Sequence, residues 1–159
     1  GEMDLLAKKA VEFIQEGKAF DEVIAGLNAY HKNTHTGYML KSIQNLVKNG
    51  RVSKVVGSVV GLLNIHIIGI RSEEGTIEMS GRARGEKKAL KTLLKDIVDN
   101  GYLGNKLEIA HVLNRETAEN FAEQVREKFP KADITISPTS GLCSFYAEMG
   151  GLIVGYEKN

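Results

Sequence analysis

Few residues of this 159-residue chain have the types and spacing that chemistry requires. Its four histidines are His31, His35, His66 and His111. None pairs with a second histidine or a carboxylate at the three- or four-residue helical spacing of a common metal site. His31 and His35 are four residues apart, but they lie on either side of a predicted helix end. We therefore predict ordinary polar or buried histidines and no metal site.

The single cysteine, Cys143, excludes an internal disulfide and any site built from several cysteines, and it is typical of a reducing compartment. Its apolar surroundings and the lack of a nearby histidine favour a small buried side chain over a nucleophile. The chain also contains neither a Walker loop nor a GxGxxG motif. The sequence thus predicts a protein without catalytic residues. The alternative is an enzyme that uses Cys143, or Arg82 and Arg84, on an acyl or phosphorylated substrate.

Arg82 and Arg84 come directly before a predicted helix that starts near Gly85. Their guanidinium groups and the free amides of the helix start could converge on one anion. Arginine is suited to bidentate contact with a carboxylate or a phosphate, so Arg84 is a candidate anion ligand. The lysines that follow fit the solvated face of an amphipathic helix.

The segment from Ser140 to Tyr156 is dense in hydroxyl groups, small residues and glycines. Ser144 and Tyr146 are hydrogen-bonding groups flanked by apolar residues, a mixture that suits an apolar pocket with a few polar anchors. An ordinary strand, turn and strand would have a similar composition.

The elements that position these residues belong to a globular chain. It is 42% hydrophobic and 26% charged with a net charge of +1, so it can bury a core and has no overall electrostatic basis for binding nucleic acid. The longest apolar stretch, 55–70, is interrupted by polar residues and is shorter than the about 20 residues of a membrane-spanning helix. We predict no integral membrane segment.

Hydrophobic periodicity and cap residues predict mixed secondary structure. Predicted helices cover 3–16, 21–30, 41–48, 53–63, 85–99 and 114–129, and predicted strands cover 34–40, 65–70, 76–79, 107–113, 134–136 and 152–156. Gly57 and Gly61 lie one turn apart in the helix over 53–63, where they would let a ligand approach the backbone. The strands over 107–113 and 134–136, joined by a helix, predict a parallel βαβ unit.

Three ordered segments carry a family resemblance: Asn49-Gly-Arg-Val-Ser-Lys54, Arg84-Gly-Glu-Lys-Lys-Ala-Leu90 and Gly141-Leu-Cys-Ser-Phe-Tyr-Ala-Glu-Met-Gly-Gly-Leu152. Together they resemble the DegV family of bacterial fatty-acid-binding proteins, over all 159 residues but only the second part of the family's usual length. Many members carry a His-Thr-Gly-Pro-Gly segment near the C-terminus. The corresponding run here is Tyr146–Gly150, which lacks the histidine.

The resemblance implies an α/β (α+β) fold: a C-terminal domain over 51–159 with a mixed sheet packed by helices, and residues 1–50 as a remnant of a Rossmann-like domain. It also implies a cytoplasmic protein without a cofactor that binds a long-chain fatty acid as acyl carrier for a fatty-acid kinase in phospholipid synthesis. We expect this chain alone to bind lipid more weakly than a protein of the family's full length.

Candidate site residues follow from the matched motifs. Arg84 matches the arginine before the Gly-x-Lys-Lys-Ala-Leu helix, which implies contact with an acyl phosphate or with the kinase. The Gly-Arg-x-Ser motif, the apolar helix after it and the C-terminal segment imply a set of lipid-binding residues. They are Arg51, Ser53, Val56, Val60, Leu63, Ser144 and Tyr146.

Overall fold

Six helices and six strands make up the part of the chain that the computed structural model describes, residues 1–52, 64–72 and 77–158. The helices are α1 (Glu2–Gln15), α2 (Phe20–His31), α3 (Gln44–Lys48), α4 (Glu86–Asp99), α5 (Arg115–Lys128) and α6 (Gly141–Ala147). The strands are β1 (Thr34–Leu40), β2 (Ile65–Arg71), β3 (Ile77–Arg84), β4 (Tyr102–His111), β5 (Asp133–Pro138) and β6 (Leu152–Lys158). The predicted helix over 53–63 lies outside the described residues.

The strands form one mixed sheet in the order β3-β2-β1-β6-β4-β5. Neighbouring strands are antiparallel except β4 and β5, which are parallel and are connected through α5. This arrangement confirms the predicted α/β class with a mixed sheet, and the parallel βαβ pairing within it. Strand β1 pairs with both β2 and β6, so residues 1–50 contribute an inner strand to the same sheet as the later residues. Their origin in a separate Rossmann-like domain stays a prediction.

The main core lies between the sheet and helices α4 and α5. The apolar stripe of α4 buries Leu90, Leu93 and Ile97, which join Met39 of β1 and Ile68 of β2 in one cluster. Helix α5 buries a similar stripe that includes Phe121 and Val125. Such stripes at three- and four-residue spacing hold a helix on a sheet, because one face is apolar and the other is charged.

Helices α1 and α2 cover the opposite face of the sheet. Alternate residues of a strand point to opposite faces. In β1, Thr34 and Thr36 reach α1, whereas Met39 packs in the cluster with α4. A second apolar cluster on the α1 side joins β1 and β2 to α3 and α6, and it includes Tyr38, Leu40, Leu46 and Ala147.

Two segments differ from their predictions. Residues 142–147, for which a strand was an open reading, form helix α6, and they contain none of the β-branched residues that favour strands. Strand β4 starts at Tyr102 instead of Leu107, because its pairing with β6 continues beyond a register irregularity to Tyr102, which lies opposite Lys158. It also ends earlier than predicted. Leu113 adopts a φ of 48° and is 85% exposed, so the chain turns away from the sheet.

The first turn of α1 packs directly on the backbone of β6 at Gly155. A Cβ at this position would lie 2.2 Å from the Glu2 amide nitrogen and 2.3 Å from the Gly1 carbonyl carbon. Both neighbours are backbone atoms and cannot rotate away. The absence of a side chain at Gly155 is therefore what lets α1 begin against the sheet.

We expect Gly155→Ala to lower the free energy of unfolding by about 1–3 kcal/mol, the range for overpacking a well-packed site. Urea denaturation measures this change. The matched control is Gly81→Ala, another strand glycine, where the added Cβ would meet only the Thr92 methyl at 3.6 Å. Equal stabilities of the two variants would contradict the close approach of α1.

Candidate functional site

An apolar cavity of about 230 Å³ lies on the α1 side of the sheet, between β1 and the short helices α3 and α6. Most of its wall is aliphatic or aromatic, and the exceptions are one threonine and one arginine. The lining residues are Thr36, Tyr38, Leu40, Leu46, Arg71, Ile77, Tyr146, Ala147 and Ile153. Its walls suit a hydrocarbon group, since ligand pockets are mostly apolar with few polar groups.

The floor of the cavity is formed by alternate residues of β1 and by a residue of β6. Thr36, Tyr38 and Leu40 occupy every second position of β1 and so share one face. Ile153 of β6 lies opposite Tyr38 in the pairing of these two strands. Leu40 follows Thr36 by four steps of extended strand, which gives the cavity a length of about 13 Å along β1.

Tyr38 is fixed across the neighbouring strand by the absence of a side chain at Gly69. Its hydroxyl donates a hydrogen bond of 2.6 Å to the carbonyl of Glu78 in β3. A Cβ at Gly69 would lie 2.1 Å from both the Tyr38 hydroxyl and that carbonyl oxygen, so only glycine leaves room for the ring. Burial raises the pKa of the Tyr38 hydroxyl, which keeps it protonated as a donor.

At the Leu40 end, Asn45 and Glu148 hold α3 against α6. The Asn45 amide N–H donates to Glu148 Oε1 at 2.8 Å, and the Asn45 side-chain amide donates to the Phe145 carbonyl at 2.8 Å. Glu148 adopts a φ of 53°, which is unusual for a residue with a side chain. These contacts place the neighbouring residues Leu46 and Ala147 in the cavity wall.

At the Thr36 end, a largely buried carboxylate collects donors from two strands, β1 and β2. Glu2 of α1 is only 10% exposed in its side chain. Arg71 donates to it through Nε at 3.0 Å and Nη2 at 3.2 Å, and the hydroxyls of Thr34 and Thr36 donate at 2.6 and 2.8 Å. The third nitrogen, Arg71 Nη1, donates to the Ser72 carbonyl at 3.3 Å.

The pKa of Glu2 reflects two opposing influences. Burial alone would raise the pKa, because it disfavours the charged form. The hydrogen bonds from Thr34 and Thr36 and the charge of Arg71 together outweigh burial. The pKa of Glu2 therefore lies below its ordinary value of 4.5, and the carboxylate is ionised at neutral pH.

The structure brings two of the sequence-predicted site residues together. Tyr146 lines the cavity, and the Arg51 guanidinium lies 5.8 Å from the centre of its ring. Ser144 belongs to the same helix, but its hydroxyl lies 2.7 Å from that of Thr139, and it is not among the lining residues. Ser53, Val56, Val60 and Leu63 lie outside the described residues. Their lipid-binding roles stay predictions.

The residues considered for catalysis lie apart from the cavity lining. Arg82 and Arg84 are exposed on β3, and Arg84 sits beside the start of α4 as predicted. Cys143 is exposed on α6, so the expectation of a buried thiol is wrong: the apolar cluster covers the C-terminal end of this short helix at Ala147 and leaves its first turn exposed. Within the described ranges, no group of three histidine, cysteine or acidic side chains could hold a metal ion.

Sequence reasoning missed most of the cavity wall, including Thr36, Leu40 and Arg71. The alternation of Thr36, Tyr38 and Leu40 in a correctly predicted strand was the available signal for a shared face. Arg71 had none, because its role depends on Glu2, 69 positions away.

Taken together, these features define an α/β domain in which a mixed sheet and short helices enclose a hydrocarbon-lined cavity with one polar end. The chain belongs to the DegV family: the family model, described as "Uncharacterised protein, DegV family", matches residues 1–159. Of the helices in the described ranges, none combines the length and apolar character needed to cross a membrane.

Similar proteins share both sequence and fold. A DegV domain-containing protein of Streptococcus pneumoniae is 48% identical over 157 residues, which is 99% of this chain and 56% of the relative. The crystal structure of the S. pneumoniae Fatty Acid Kinase (Fak) B3 protein loaded with linoleic acid matches with a TM-score of 0.96 and 47% identity. That match covers 100% of this chain and 57% of the other.

A DegV family protein of Eubacterium eligens loaded with heptadecanoic acid matches with a TM-score of 0.94 and 40% identity, over 99% of this chain and 57% of that one. The chain thus spans somewhat more than half the length of the relatives it matches.

The ionised Glu2 predicts a specific pH dependence of stability. Because its pKa is lowered on folding, its contribution is complete above about pH 4.5 and is lost as the pH falls through the folded-state value. We expect Glu2→Gln to lower the free energy of unfolding at pH 7 by about 1–3 kcal/mol, because Arg71 loses its partner. The deficit should shrink towards pH 3.

Urea denaturation at both pH values measures these differences. Glu119→Gln serves as control, because Glu119 pairs with Arg115 on the exposed surface of α5. A Glu2→Gln deficit that stays constant between pH 7 and pH 3 would show that the carboxylate is not ionised against Arg71.

Proposed function

We propose that this chain binds a long-chain fatty acid and holds part of its hydrocarbon chain in the cavity between β1, α3 and α6. The single observation that carries the proposal is the cavity itself, whose wall is apolar apart from Thr36 and Arg71. It is supported by a relative of 47% identity and a TM-score of 0.96 that was solved loaded with linoleic acid.

Burial of the acyl chain provides the affinity. Each buried methylene contributes about 0.8 kcal/mol. The cost of association and of ordering the ligand is subtracted from that sum. The cavity of about 230 Å³ is smaller than the about 300–1,000 Å³ of typical ligand pockets. We therefore propose that the described residues enclose only a part of the acyl chain.

The wider role is an acyl carrier, without catalysis of its own and without a cofactor, that presents its fatty acid to a fatty-acid kinase in the cytoplasm. The resemblance to the DegV fatty-acid-binding proteins supports this role, as does the similarity to the protein named Fatty Acid Kinase (Fak) B3, which was solved loaded with linoleic acid. Arg84 is exposed beside the start of α4, where a partner can reach it. We propose it as a contact to the kinase or to the acyl phosphate.

The proposal is tested by ligand-dependent stability. A ligand at 100 times its dissociation constant adds about 2.7 kcal/mol to the free energy of unfolding. We expect palmitic acid to raise the unfolding temperature of this chain. Buffer alone should not raise it, and neither should acetate, which has the carboxylate but no long hydrocarbon chain. A chain that palmitic acid leaves unchanged at any soluble concentration would contradict the proposal.

A bulky substitution in the lining tests whether this cavity is the fatty-acid binding site. Ala147→Phe adds a ring to a cavity-lining position that is 3% exposed, and we expect it to weaken palmitic acid binding by about tenfold or more, since two or three methylenes lose their place. Ala7→Phe, on the exposed side of α1, is the control. Displacement of a fluorescent fatty acid gives both affinities, and unfolding without ligand verifies that each variant folds.

Equal affinities for the folded Ala147→Phe variant and the unaltered chain would place the fatty acid elsewhere. If Ala147→Phe does not fold, Ile153→Thr provides the test, because it puts a hydroxyl into the apolar wall and preserves a β-branched strand residue. It should weaken binding without abolishing it.

A further inference from the structure

The cavity is asymmetric. At the Leu40 end its wall consists of Leu46 and Ala147, whereas at the other end it consists of Thr36 and Arg71. A guanidinium group in a fatty-acid pocket has two physical interpretations. It either binds the carboxylate of the ligand or stops the hydrocarbon chain, and its hydrogen bonds distinguish the two.

The guanidinium of Arg71 is directed into the protein. Nε and Nη2 donate to Glu2, and Nη1 donates to the Ser72 carbonyl. A ligand carboxylate at this end would meet the negative charge of Glu2, which is already paired and hydrogen-bonded by Thr34 and Thr36. The charge of Arg71 is thus compensated before any ligand arrives.

The same contacts make this end rigid. Glu2 lies on α1, Thr36 on β1 and Arg71 on β2, so three elements must separate for the end to open. Moving Arg71 aside would also leave the Glu2 carboxylate, which is 10% exposed, with the half-exposed His31 imidazole at 3.4 Å as its remaining basic neighbour. A buried charge that loses its partner is strongly destabilising. A hydrocarbon chain that reaches this end of the cavity therefore cannot extend further without breaking these contacts.

We propose that the Glu2–Arg71 ion pair is the end wall of the acyl-chain cavity and limits how far a fatty acid can enter. This inference rests on the proposed function. The methyl end of the ligand then lies against Thr36 and Arg71, and the carboxylate lies towards α3 and α6. Methylenes beyond the capacity of the cavity remain outside its described walls and add little affinity.

The test measures dissociation constants for saturated straight-chain fatty acids of increasing length, by displacement of a fluorescent fatty acid. For the unaltered chain we expect the affinity to rise about fourfold per methylene, until the chain reaches the wall, and then to level off. The double variant Glu2→Gln/Arg71→Met removes both charges from the wall and replaces the guanidinium by a flexible apolar side chain. The fatty-acid length at which the affinity levels off should then increase.

The double variant removes both charges together, so it leaves no buried ion without a partner. Its matched control is Arg115→Met/Glu119→Gln, which makes the same changes in an exposed pair on α5 and should preserve the original length profile. If the double variant does not fold, Glu2→Gln/Arg71→Gln removes the same charge pair, shortens the side chain at position 71 and keeps hydrogen-bonding groups there. It should also increase the fatty-acid length at which the affinity levels off.

Other outcomes separate the possible failures. If the affinity levels off at the same fatty-acid length in the folded Glu2→Gln/Arg71→Met variant and in the unaltered chain, the end-wall proposal is wrong. It is also wrong if the affinity of the unaltered chain does not level off. Weaker binding by one constant factor at every length would also overturn it and would assign Arg71 to the ligand carboxylate. If no fatty acid binds to the unaltered chain, the proposed function itself fails.

Discussion

A carboxylate removed from water beside hydrocarbon is the constraint on which this site depends. Arg71, Thr34 and Thr36 supply the donors that water would otherwise supply to Glu2, and they lower its pKa although burial raises it. Those donors come from two strands, so the carboxylate joins α1 to β1 and β2 at a single point. The apolar wall of the cavity begins beside it, since Thr36 and Arg71 are shared by the network and the lining.

The surrounding fold serves this arrangement through close backbone approach. Gly155 lets the first turn of α1 rest on β6, which brings Glu2 within reach of β1. Gly69 lets the Tyr38 ring cross β2 and bond to β3. Both glycines act by leaving space that any side chain would fill. The opposite face of the sheet, under α4 and α5, supplies an ordinary apolar core and so carries the stability that the polar site does not.

Local sequence signals were sufficient to predict the helices and strands. They were insufficient to predict the contacts between residues that are distant in the sequence. The strand over 34–40 and the helix over 85–99 were predicted nearly to the residue, because hydrophobic periodicity and cap residues are local signals. Helix α6 was ambiguous since its seven residues are too few for periodicity to decide. Tyr146 was recognised as a candidate from its own neighbourhood. Arg71 was not, because its role depends on the fold bringing Glu2 to it.

The position of Glu2 on α1 couples two properties that are usually separate: the docking of a helix on a sheet and the shape of an apolar cavity. Thr36 and Arg71 hold the Glu2 carboxylate and also line the cavity. A change that shifts α1 against β1 and β2 therefore also shifts the polar boundary of the hydrocarbon space. Substitutions on the sheet-facing side of α1 are, in this molecule, changes of the cavity as well.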